Sequence, residues 1–131
     1  MSRFVNALKS KLPLDTEISI PKQRKGTFVA KANGSGVDVD CLGTSSHLPW
    51  GVFEAVEKLL EAQSSKSAIR GSAMNAKLGD KNLPLDSVEG CIALFFQKTP
   101  DQRILRRISP VANLLVWSGV CRHGKGVLIL Q

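Results

Sequence analysis

Three guanidinium side chains fall within five residues, at Arg103, Arg106 and Arg107, just ahead of Ser109 and Pro110. Serine followed by proline reads as the cap and first residue of a helix. Arginine forks match phosphate oxygens two at a time, and a helix N-terminus adds backbone donors. The chemistry this implies is phosphate binding. Two further basic groups extend the set. Arg122 and Lys125 lie in the glycine-rich turn Arg122-His123-Gly124-Lys125-Gly126, and Lys22, Arg24 and Lys25 follow Pro21 in a polar loop. The candidate nucleic-acid-binding residues are therefore Lys22, Arg24, Lys25, Arg103, Arg107, Arg122 and Lys125. Ile104 and Ile108 suggest a strand over 102–108. Alternation on a strand puts Arg103 and Arg107 on one face and Arg106 on the other. The expectation is that Arg103 and Arg107 act with Arg122 and Lys125, while Arg106 pairs with a carboxylate. The competing reading is a solvated basic face, paired with the acidic helix residues Glu54 to Glu61.

Catalytic constellations are absent from the sequence. His47 and His123 are the two histidines, and neither falls in a metal or triad spacing. No G-x-S-x-G, H-E-x-x-H or P-loop occurs. Asp38 and Asp40 on a strand, with Glu54 or Glu57 on a helix, have the types needed to hold a metal ion for nuclease chemistry. Such a core also needs a lysine two positions past its last acid on a strand. Here Lys58 directly follows Glu57 on a helix, and the pattern fails. The expectation is no catalytic centre, no metal and no cofactor. Cys41, Cys91 and Cys121 are odd in number, form no C-x-x-C pair and have apolar neighbours, which predicts buried, reduced thiols.

The 131 residues carry a net charge of +7, and hydrophobic residues make up 43%. That fits one domain able to bury a core without disulfides or metal. The charge is uneven. Residues 1–31 hold seven basic groups against two acids, residues 32–62 one against five, and residues 63–131 ten against four. Such asymmetry suits a polyanion-binding face. The longest apolar run, Val111 to Val120, is broken by Asn113, Ser118 and Gly119, and the N-terminus has no signal-peptide core. No membrane contact and a cytoplasmic location are the expectation.

The elements follow from periodicity. Phe4, Val5, Leu8 and Leu12 predict a helix over 3–12, ended by Pro13. Ile18 to Ile20 reads as a strand. Thr27–Ala32 and Val37–Leu42 read as a hairpin about Asn33-Gly34-Ser35-Gly36, with Val37, Val39 and Cys41 inward and Asp38 and Asp40 outward. A helix over 49–62 buries Trp50, Phe53, Val56, Leu59 and Leu60 and leaves Glu54, Glu57, Lys58 and Glu61 wet. A short helix over 67–77 and a second over 87–97 follow, the latter with Val88, Cys91, Ile92, Phe95 and Phe96 inward. Val111 to Trp117 is apolar nearly all round and predicts a core helix ended by Gly119. Val127 to Leu130 is a closing strand.

The whole predicts a single α+β domain. Residues 1–45 form a β-rich basic part with a hairpin. Residues 46–131 form a mainly helical part of three or four helices, closed by a basic turn and a C-terminal strand. That turn resembles the wing of a winged helix-turn-helix, in which a basic hairpin beside a recognition helix grips the phosphate backbone. The resemblance spans residues 49–131. The aromatics, 5% of the chain with no tyrosine, sit in apolar patterns. That weighs against RNA or single-strand recognition and favours binding to the duplex DNA backbone. The expected function is duplex DNA binding without catalysis. The alternative is a protein-interaction or accessory domain, contacting a partner through its acidic strand face and basic ends.

Overall fold

A computed structural model describes residues 2–74 and 76–131, with the side chains of Thr44 and Ser45 set aside. Helix α1 (Arg3–Lys11) begins at Ser2, whose side chain accepts from the Val5 amide at 3.1 Å. A four-stranded antiparallel meander follows, β1 (Glu17–Pro21), β2 (Thr27–Asn33), β3 (Gly36–Val39) and β4 (His47–Pro49), hydrogen-bonded in chain order. The β2–β3 turn is held by Asn33, whose Oδ1 accepts from the Ser35 and Gly36 amides at 2.9 and 3.0 Å. Gly36 is required there, because a Cβ would run into the Leu48 carbonyl of β4. Helix α2 (Trp50–Ala62) leads to β5 (Ser67–Ile69), α3 (Val88–Phe95) and α4 (Ile108–Trp117). The chain closes with the hairpin β6 (Cys121–His123) and β7 (Val127–Leu130). Strands β5 and β6 both pair antiparallel with β7, which lies central. The fold is α+β, with four α-helices and two antiparallel sheets among the described residues.

One core joins both parts of the chain. Phe4 and Leu8 of α1, Phe28 and Val37 of the meander, Phe53 and Leu60 of α2, Leu114 of α4 and Leu128 of β7 belong to a single buried cluster. A smaller cluster of Ala76, Leu78, Leu83 and Ala93 lies under the long connection before α3.

Several expectations are corrected. Strand β3 stops at Val39, where the chain turns into a 3₁₀ segment (Asp40–Ser45). The Asp40 Oδ1 accepts from the Val29 amide at 3.0 Å and takes the place of a ladder bond. Cys41 is consequently exposed rather than buried, Cys91 is half-buried and Cys121 buried, and all three are free. The expected helix over 67–77 is strand β5 followed by irregular chain, because β7 supplies a partner and Gly71, at φ +78°, stops any helix. The expected strand over 102–108 is also irregular. Its start is tied to residue 78, by Leu78 N–H to the Gln102 carbonyl, and its end turns directly into α4. Trp50 lies at the edge of the core, and Phe95 is exposed beside Phe96.

Glu57, expected on the wet face of α2, is 8% exposed and caps α1 instead. It accepts from Ser2 Oγ at 2.6 Å and from the amides of Arg3 and Phe4 at 3.3 and 3.1 Å. A carboxylate at a helix N-terminus satisfies orphan donors and opposes the dipole's positive end. Glu57→Ala should therefore cost about 2 kcal/mol in urea unfolding, since buried amides lose a charged partner. The exposed neighbour Glu54→Ala should stay within about 0.5 kcal/mol. Equal effects for the two would remove the capping role.

Candidate nucleic-acid interface

The site is assembled around the start of α4. Glu89, in the first turn of α3, is fully buried, and its Oε1 accepts from the Arg107 amide at 2.8 Å, just where α4 begins. Its own amide donates to the Arg70 carbonyl at 2.9 Å. One residue thus ties the end of β5, the start of α3 and the start of α4. Burial pushes the Glu89 carboxyl up to about 7, against the pull of the Arg107 and Ile108 amides and of Arg106 and Arg107. Burial likewise pulls Arg70 and Arg107 down, and Glu89 acts to restore both.

Above this joint lies a cleft of about 450 Å³. The β1–β2 loop contributes Lys22, Gln23, Arg24 and Lys25. The chain after β5 contributes Arg70 and Met74, and the start of α4 contributes Arg106, Ser109 and Asn113. Five cationic side chains from three separate segments line one concavity. α4 packs on β1, which carries the loop over the helix start. Asn113 is 5% exposed, and its Oδ1 has no hydrogen-bond partner. Arg70 also donates from Nη1 to His123 Nδ1 at 3.4 Å, and burial followed by the Arg70 charge lowers the His123 imidazole.

The candidate residues divide. Lys22, Arg24 and Lys25 come together in the cleft. Arg106, expected to be structural, joins them, whereas Arg107 stacks on the Phe96 ring at 3.9 Å with its Nε buried and unpartnered. The roles of these two neighbours are reversed because the segment is not a strand. Arg103 is exposed on the irregular segment, and Arg122 and Lys125 are exposed on the β6–β7 hairpin, all outside the cleft lining. The basic turn read as a wing lies between the antiparallel strands β6 and β7. The helix beside it does not match a recognition helix, since Ile108, Pro110, Val111, Ala112, Asn113, Leu114 and Leu115 are all buried. Arg70, Asn113 and Glu89 were missed. Asn113 carried a signal, as a polar residue one turn beyond Ser109 on an otherwise apolar helix.

A second polar arrangement lies on the meander. His47 Nδ1 is 2.8 Å from Asp38 Oδ1, and Ser35 Oγ is 3.2 Å from His47 Nε2. This is the order of an Asp–His–Ser relay, which the sequence spacing did not reveal. The Ser35 and Gly36 amides that would hold an oxyanion both donate to Asn33 Oδ1, and the Ser35 hydroxyl also reaches that atom at 2.9 Å. The group therefore locks the turn. Among the described residues, no three His, Cys, Asp or Glu side chains gather as metal ligands. No helix there is long and apolar enough to cross a membrane. No family model, no curated protein and no solved structure matches the chain.

Proposed function

We propose that this protein is a non-catalytic, cytoplasmic DNA-binding domain that grips phosphates at the cleft between the β1–β2 loop and the start of α4. The observation that carries the reading is the convergence of Lys22, Arg24, Lys25, Arg70 and Arg106 on one concavity. The net charge of +7 supports it. Cations gathered from distant segments repel one another, and a polyanion relieves that repulsion. Phosphate contacts carry no sequence information, so binding should be weak and tolerant of sequence.

The test is duplex DNA binding at two salt concentrations. If about four phosphates are neutralised, the slope of log K against log salt is about −3.6, and affinity falls about 10²-fold between about 50 and about 200 mM. No binding at about 50 mM would overturn the reading.

A specific observation favours the protein-interaction alternative. Between α2 and α3 lies an apolar groove flanked by exposed Leu85, Leu94 and Phe95, with Leu59 and Cys91 behind them. Exposed apolar patches of this kind mark protein contacts. Absence of DNA binding would bring this groove forward.

A further inference from the structure

We infer that the cleft takes a single nucleotide bearing a 5′-phosphate, its phosphomonoester held between Arg70 and Arg106 and its nucleoside against Asn113. This rests on the phosphate-binding reading of the same cleft and narrows it. Three observations lead there.

The first is shape. A duplex is a convex rod, and its phosphodiesters ride on the outside. Asn113 is 5% exposed on the cleft lining, so a ligand must enter the cleft to reach it. A volume of about 450 Å³ falls in the range of small-molecule sites.

The second is charge. Five cations exceed what one internal phosphodiester requires. A phosphomonoester carries close to two negative charges at neutral pH and three terminal oxygens, enough for two guanidinium forks and a lysine. At the helix start, the Arg107 and Ile108 amides already serve Glu89, and Pro110 has no N–H. The recognition therefore falls to Arg70, Arg106 and the exposed Ser109 rather than to a row of helix amides.

The third is the orphan acceptor. The Asn113 Oδ1 is buried with no donor. Leaving such an atom unpaired costs about 1–3 kcal/mol. The dianion of a phosphomonoester offers it no hydrogen. A base amino group or a sugar hydroxyl does. Inorganic phosphate has an O–H of its own, but it lacks the nucleoside whose donors lie beyond the phosphate itself.

The source of the nucleotide is either a free monophosphate or the 5′ end of a strand, and competition binding separates them. Fluorescence anisotropy would compare one labelled duplex with a 5′-phosphate and with a 5′-hydroxyl. The competitors would be the four ribonucleoside 5′-monophosphates, the nucleosides and inorganic phosphate. The expected result is at least tenfold tighter binding of the 5′-phosphorylated duplex, with displacement by at least one nucleotide and about tenfold less by inorganic phosphate. Direct binding of a labelled nucleoside 5′-monophosphate, competed about tenfold less well by inorganic phosphate, with neither duplex bound, supports a free nucleotide and removes the DNA reading alone. Equal binding of the two duplexes, undisplaced by nucleotides, overturns the inference and leaves the DNA reading intact. Equal competition by phosphate and nucleotide also overturns it. Arg106→Ala, at an exposed position, should erase the 5′-phosphate preference. Asn113→Leu keeps the buried volume and should remove the advantage of nucleotide over phosphate, with folding checked by circular dichroism.

Discussion

Changing Arg24, Lys25 and Arg106 together to Glu lowers duplex DNA affinity by at least about 10²- to 10³-fold at about 0.1 M salt. Each phosphate neutralised contributes about 0.9 to the salt slope, so three lost contacts flatten it by about 2.7. Extrapolated to about 0.1 M, that slope alone is worth about 500-fold, and the introduced repulsion adds to it. The three side chains are exposed, so the fold has little stake in them. The matching change at Arg103, Arg122 and Lys125, also exposed but outside the cleft lining, should cost less than about tenfold. If the second set costs more than the first, the hairpin is the gripping surface and the cleft is not.

Glu89→Gln makes the protein more stable at pH 8 by an amount on the order of 3 kcal/mol and at pH 5 by less than about 1 kcal/mol. The native carboxyl titrates near 7, against an ordinary value of 4.5. Between those values the folded protein holds a proton that the unfolded chain has released. The contribution is therefore complete below about 4.5, declines as pH rises toward 7, and is gone above it. The size follows from the gap in pKa at about 1.4 kcal/mol for each unit. Above pH 7 a charged carboxylate sits fully buried, with Oε2 unpartnered. The amide of the variant keeps an oxygen for the Arg107 N–H and carries no charge. Thermal unfolding of both proteins from pH 5 to 8 tests this directly. Parallel pH profiles would show that Glu89 does not titrate in this range.

What the sequence made legible was local. Helices α1, α2 and α4 and the β2–β3 hairpin follow from apolar spacing and turn residues that act within a few positions. Strand β5 was not legible, because three residues with little pattern became a strand only through β7, sixty residues away. Glu57 was read as a wet helix carboxylate, and Glu89 was not singled out for the site. Each is buried because it closes the start of another helix, a need set by packing and not by its own neighbours. The exchange of roles between Arg106 and Arg107 has the same origin. Alternation assigned them opposite faces of a strand that does not form, and the surroundings of each side chain are set by tertiary contacts. The cleft draws on residues 22–25, 70 and 106–113, and no stretch of the chain announces it.

The pairing of the second sheet also sets an order of assembly. The meander β1 to β4 joins strands that are adjacent in the chain, and its loops are short to close. The second sheet must close a loop of nearly sixty residues before β5 meets β7, and loops of that kind are slow. The cationic cleft spans both regions, with Lys22, Arg24 and Lys25 on a meander loop and Arg70 immediately after β5. Its charges converge only once the late strand is in place. A chain caught partway through folding would carry the same net charge with its cations scattered, so the concentrated positive field of the cleft belongs to the finished molecule alone.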